Sequence, residues 1–302
     1  MEVDRSPKGL VIDLITPVNG RGDIDEEGLN SLLKTVLPYA DAILLASPRM
    51  GEGLDLGLKL KKDLLRKAIN SIQGKTPIFF WISEYSVEDT KKALSLLEGT
   101  LENFSYKGLV FWVDSPLFYH SNRGLYDHYI DLTGNSKDPI ILYNDPGLIK
   151  LLDRPLKRSN IRTSILKDLC KIEKMAGLIF RGSLSRVNNY QKALNKRPDF
   201  RVYDGDEIRF LEHPSLSGVV SAGANIAPRL WSTITRFSMG MLGDNEDKDK
   251  GNYLREIWET GNTLKRLIQT YSKHSVPIIK KALVDLKIIG SSACITENGD
   301  FA

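Results

Sequence analysis

Pro139-Ile140-Ile141-Leu142-Tyr143, running into Asn144-Asp145-Pro146-Gly147, is the stretch on which the fold turns. An unbroken apolar run of this length reads as a strand buried on both faces, the habit of parallel sheets covered by helices. The polar, turn-forming residues after it end the strand abruptly. Working outward, the same unit recurs at Leu10–Ile15, Ala42–Ala46, Pro77–Ile82, Gly108–Val113, Gly177–Phe180, Arg201–Tyr203 and Gly218–Ser221. The intervals carry helical periodicity. In Leu29–Val36 the residues Leu29, Leu32, Leu33 and Val36 share one face. In Val87–Leu97 an acidic first turn precedes Ala93, Leu94, Leu96 and Leu97.

Eight strands alternating with helices predict a (β/α)8 TIM barrel, since eight is the number that closes the sheet. An open doubly wound sheet is the competitor. Its usual glycine-rich turn after the first strand is missing, because that turn reads Thr16-Pro17-Val18-Asn19-Gly20. After Asn225-Ile226-Ala227-Pro228 the pattern becomes helical throughout, broken by a polar stretch at Gly243–Gly251. The expected division is a barrel over residues 1–228 and a C-terminal helical extension, 229–302, packed on it.

Composition excludes several classes. The chain has 302 residues, 41% apolar and 26% charged, which are globular values. Its net charge of +4 is spread along the chain and gives no reason to expect nucleic acid. No apolar run is long enough to cross a bilayer, and Met1 to Lys8 does not read as a secretion signal. Cys170 and Cys294 are isolated and read as two reduced thiols of a cytoplasmic protein. The four histidines do not pair at metal-ligand spacing, so neither a metal nor a cofactor is expected.

Sites in such barrels are built where the strands end. Those ends supply Arg49, Met50, Gly51 and Glu52 after the second strand, Tyr143 on the fifth, Arg181 after the sixth, and Gly205, Asp206 and Glu207 after the seventh. Two arginines among them suit a small anion, a 2-oxo acid or a phosphate-like group. No lysine is among them, and arginine cannot form an imine. Plainer readings stand beside these. The glycines can serve tight turns. Tyr143 can be a core aromatic, and Arg181 can pair with Glu207. Asp206 and Glu207 can cap the next helix.

Taken in order, several segments resemble the dihydrodipicolinate synthase and N-acetylneuraminate lyase family of class I pyruvate aldolases. Leu14-Ile15-Thr16-Pro17 is similar to that family's opening, and Gly51-Glu52 to the end of its G-T-T-G-E motif. Ile140 to Gly147 resembles its I-L-Y-N-x-P-G motif with one substitution. Gly124 to Tyr129, Gly205-Asp206, Gly218 to Pro228 and Pro277 to Gly290 also resemble family segments.

The resemblance implies a pyruvate imine on a lysine at the end of strand six, with the motif tyrosine as proton relay. Carried over residue by residue, Tyr143 is retained, but Ile179 of Gly177-Leu178-Ile179-Phe180 stands where the lysine is expected. The two threonines become Arg49 and Met50. The P-Y-Y tyrosines become Leu117 and Phe118, with Tyr119 one residue on. The carboxylate-binding arginine becomes Leu148. Lys171 and Lys174 precede strand six, while Lys150 follows strand five.

Losing the imine removes covalent catalysis. The expectation is therefore a binding or regulatory relative of the aldolases, a repurposed paralogue able to join an active one in mixed oligomers. The family habit implies a homodimer or homotetramer. The alternatives are an active lyase or synthase working without the imine, and a structural role with the mouth filled by Ile179, Phe118 and Met50.

Overall fold

The computed structural model describes residues 5–152, 158–215, 217–240 and 250–295, with the side chains of 250–254 excepted. Eight parallel strands close a barrel in sequence order: β1 Gly9–Asp13, β2 Ala42–Leu45, β3 Ile78–Trp81, β4 Val110–Asp114, β5 Ile140–Asn144, β6 Met175–Phe180, β7 Arg201–Asp204 and β8 Gly218–Ser221. All but Arg201 of their residues are buried, which is why the runs lack polar alternation.

The helices are α1 Glu26–Val36, α2 Leu58–Ile72, α3 Val87–Asn103, α4 Pro116–Tyr119, α5 Leu125–Asn135, α6 Pro146–Lys150, α7 Thr163–Leu169, α8 Leu184–Leu194, α9 Glu207–Glu212, α10 Pro228–Ser238, α11 Lys250–Tyr271 and α12 Ser275–Asp285. Their starts follow local chemistry. The Asp25 carboxylate accepts from Gly28 N at 3.1 Å and Ser86 Oγ from Asp89 N at 3.0 Å, each satisfying an otherwise orphaned donor of α1 or α3. The polar stretch expected at Gly243–Gly251 lies, up to residue 249, outside the described residues. No described helix is long and apolar enough to cross a membrane.

Barrel closure depends on a close backbone approach. Gly9 pairs with Gly218, and a Cβ on Gly218 would sit 1.8 Å from the Gly9 carbonyl oxygen. Both glycines have positive φ, so no other residue fits that seam.

The interior is filled by aromatic side chains. Phe79 meets Phe111 and Tyr203 edge-on at 5.4 and 5.7 Å, and Trp81 meets Tyr143 at 5.4 Å. Such edge-on pairs add about 1 kcal/mol each beyond their burial. Ser6 and Pro7 plug the end where the strands begin, accepting from Tyr203 Oη at Pro7 O and donating from Ser6 Oγ to Ala176 O. The opposite end stays open as a pocket.

Candidate functional site

Side chains paired in register on parallel strands point the same way. Tyr143, Ile179 and Tyr203 are such a row across β5, β6 and β7, and the rings of Tyr143 and Tyr203 meet Trp81 and Phe79 of β3 across the interior. Ile179 therefore projects into the barrel, and it is 0% exposed.

Above this row lies a cavity of about 250 Å³. Asp13, Arg49, Met50, Arg181, Asp206 and Glu207 line it from the barrel side, and Ile268, Tyr271, Ser275 and Val276 of α11 and α12 line it from above. None of the described residues lining it is a lysine. Lys150 is exposed on α6. Lys174 donates to Thr133 O at 3.1 Å and to Ser136 O at 2.5 Å, at the end where the strands begin. Lys171 pairs with Asp168.

The two arginines share one carboxylate. Arg49 Nε lies 2.6 Å from Asp145 Oδ2, and Arg181 Nε lies 3.5 Å from the same oxygen. Asp145 Oδ1 meanwhile accepts from Gly147 N and Leu148 N and so caps α6. Burial alone would raise the Asp145 pKa, but Arg49 and Arg181 reverse this and hold it below the usual carboxylate range. Burial alone would lower the Arg49 pKa, and Asp145 with Tyr143 more than offsets that, so the guanidinium stays charged. The Tyr143 phenol is pushed up by burial and by Asp145, against the pull of Arg181 and Arg49. It stays protonated at neutral pH.

Glu207 does not pair with Arg181 as the sequence suggested. Its Oε1 accepts from Ser221 Oγ at 2.6 Å and Gly223 N at 2.8 Å, and its Oε2 from Tyr271 Oη at 2.5 Å. With both oxygens occupied, it ties α11 down over the ends of β7 and β8. Arg181 Nη1 donates instead to Gly205 O. Gly205 is small because a Cβ there would sit 2.5 Å from Arg181 Cγ. Asp206 is the N-cap of α9, accepting from Arg209 N at 3.0 Å, and also faces the cavity.

Glu52 and Gly51, also expected at the ligand, have structural partners. Glu52 forms a buried ion pair with Lys280 of α12 and accepts from Ile295 N at 2.7 Å, so it fastens the C-terminal segment to the barrel. Gly51 serves a tight turn, since a Cβ would lie 2.3 Å from Ser47 N. Met50 is buried and lines the cavity.

Comparisons with known proteins agree with the fold. The model of the dihydrodipicolinate synthetase family matches residues 6–287. The chain belongs to that family. It is 26% identical over 242 residues to the 4-hydroxy-tetrahydrodipicolinate synthase of Pseudomonas savastanoi, covering 79% of this chain and 77% of that one. It is 27% identical over 225 residues to that of Sodalis glossinidius, covering 73% and 72%. Among solved structures, dihydrodipicolinate synthase from Bacteroides thetaiotaomicron superposes with a TM-score of 0.78 at 19% identity, covering 99% of this chain and 95% of that one. A prophage protein of the same family from E. coli K12, solved in complex with pyruvate, gives 0.75 at 16%, covering 97% and 94%. At such identities the structural likeness shows the fold.

Within this member of the dihydrodipicolinate synthetase family, the recognisable motifs hold the scaffold. Asn144 donates to Ser159 O and accepts from Ile161 N, pinning the chain after the described part of the β5 loop. Asn225 donates to Asp13 O at 2.7 Å and accepts from Ile15 N at 3.1 Å, fixing the end of β1. Tyr119 is drawn away from the cavity, donating to Asp114 and meeting His128 Nε2 at 2.9 Å. Among the described residues no group of three or more His, Cys, Asp or Glu is placed to hold a metal.

Sequence reasoning missed Asp13. Its carboxylate is 5% exposed, lines the cavity, and has an Oδ1 with no hydrogen-bond partner. Burial pushes its pKa up to about 7, against Ser47, Arg181 and Arg49, while Glu207 adds to the rise. The signal was available: an acid in the apolar run Leu10–Ile15 is costly unless something answers it. Asp145, Glu207 and Tyr271 were also missed as parts of one charged network.

Proposed function

We propose that this protein binds a small anion, a 2-oxo acid such as pyruvate or a phosphate-like group, without the imine chemistry its family resemblance implies. The observation that carries the reading is Ile179, buried on the interior row between Tyr143 and Tyr203 beneath a cavity whose described lining holds no lysine. A hydrocarbon cannot attack a carbonyl, and a guanidinium forms no imine. Arg49 and Arg181 supply the positive charge, with donors beyond those held by Asp145 and Gly205 available to a carboxylate. The protein thus acts as a binding or regulatory paralogue.

The test is borohydride reduction in the presence of pyruvate, read by intact mass. No adduct is expected. An adduct at any lysine overturns the reading. A second reading, turnover by acid–base chemistry without an imine, is favoured by the near-neutral Asp13 in the cavity. Pyruvate release from aldol substrates that exceeds the Arg181→Ala background would establish it. Filling of the mouth is opposed by the cavity that remains.

Two further expectations belong to this proposal. Cys170 and Cys294 are free thiols, which supports the cytoplasm as the working compartment. Exposed Trp258, Leu286 and Tyr85 offer apolar surface for a homodimer or homotetramer. Light scattering on the purified chain decides the latter.

A further inference from the structure

Among the described acids that line the cavity, Asp13 is the buried one, and it has an oxygen left over. Partly exposed Glu207 has its oxygens committed to Ser221, Gly223 and Tyr271, and Asp145, outside that lining, has its own committed to Arg49, Arg181 and the N-terminus of α6. Asn225 holds the Asp13 backbone, so the carboxylate cannot withdraw from the cavity by moving the strand end. A buried polar atom without a partner is rare in native structures and calls for an explanation.

Charge decides in which form Asp13 meets a ligand. It faces Arg49 and Ser47 from the β2 side, Tyr143 from β5, Arg181 from β6 and Glu207 from α9, while Tyr271 of α11 reaches Glu207 from above. With Asp13 neutral, the charges of Arg49, Arg181, Asp145 and Glu207 cancel. With Asp13 ionised, the set is net negative. Asp206 adds a half-exposed, solvent-screened negative charge either way. An entering anion is therefore repelled by the ionised form and accepted by the neutral one.

We propose that Asp13 is a ligand-binding residue that engages a small carboxylate in its own neutral, carboxylic-acid form, so that binding takes up a proton wherever Asp13 is ionised beforehand. The acid's O–H donates to an oxygen of the ligand, and the proton comes from solvent. Arg49 and Arg181 hold the ligand's charge. This rests on the reading of the cavity as an anion site. The rise of the Asp13 pKa to about 7 places the coupling within the physiological range.

The experiment is calorimetric titration of sodium pyruvate into the full chain at pH 6, 7 and 8, in buffers of differing ionisation enthalpy. For the wild type, affinity is expected to fall by up to about tenfold per pH unit above pH 7, with proton uptake rising from little at pH 6 toward one per pyruvate at pH 8. Asp13→Asn is expected to bind with the same affinity at all three pH values and without proton uptake. Binding by the wild type that is independent of pH, or a slope retained in Asp13→Asn, overturns the inference and leaves the anion site standing. No binding by either protein at any pH overturns the anion site itself. A readout without ligand separates the cases further. The infrared carbonyl band of a protonated carboxylic acid should be present in the wild type at pH 6 and lost in Asp13→Asn. Absence of that band in the wild type overturns the inference.

Discussion

Two buried aspartates end strands on different sides of the barrel mouth, and they have been treated differently. Asp114, at the end of β4, accepts from Ser83 Oγ at 2.6 Å, Tyr119 Oη at 2.8 Å and Tyr129 Oη at 2.7 Å. Asp13, at the end of β1, keeps an orphaned oxygen facing a cavity. A buried acid surrounded by hydroxyl donors is part of the frame. One left unanswered beside two guanidinium groups is placed for something that comes and goes. Pairing, rather than burial or charge, separates structure from function here.

The largest expected effect breaks the first member of that comparison. Asp114→Ala strands three hydroxyl groups without their acceptor. It should lower stability by roughly 3 to 5 kcal/mol in urea unfolding, given about 1–3 kcal/mol for each buried group left unsatisfied. Pyruvate affinity of the fraction still folded should not change. A loss below about 1 kcal/mol would mean that the hydroxyls find other partners, and the contrast with Asp13 would collapse.

The second prediction concerns Asp13 itself, and its sign is the opposite. The folded state keeps on Asp13 a proton that the unfolded chain releases in the ordinary carboxylate range. Stability therefore falls as pH rises toward 7 and is flat beyond it. Asp13→Asn has no such proton. The stability gap in the variant's favour should widen by on the order of 2 kcal/mol from pH 5 to pH 8, read by urea midpoints at the two pH values. A gap that does not widen would show that the ionised Asp13 is well solvated or well paired.

The same contrast explains what was legible in the sequence. The eight apolar runs were readable because burial on both faces removes alternation, and the helix starts because Asp25 and Ser86 cap through local bonds. Met50, Arg49, Arg181 and Asp206 were placed at the cavity because strand ends converge there. The pairing of Glu52 was not legible, because its partner, Lys280, lies 228 residues away and no local pattern reveals so distant a pair. Glu207 was read as a cap for the same reason, since Tyr271 reaches it from a helix the strand pattern does not describe. Asp13 was legible only as an acid in an apolar run, because it lies outside the segments that resemble the family.

The smallest expected effect is the most discriminating for function. Tyr143 is the retained residue of the family motif, and its ring packs edge-on against Trp81 with its hydroxyl toward Arg49. Tyr143→Phe keeps the ring and removes one hydrogen bond to a guanidinium that Asp145 already holds. If Tyr143 only steadies Arg49, the variant should lose about 1 kcal/mol of stability or less, and pyruvate affinity should fall by no more than about fivefold. If Tyr143 instead relays a proton in a working lyase, the same change should remove most of the turnover, on the order of a hundredfold or more, while leaving affinity nearly intact. Measuring pyruvate release and pyruvate binding side by side on this one variant separates the two roles. A collapse in release without a collapse in binding would make Tyr143 catalytic and return the protein to the enzymes of its family.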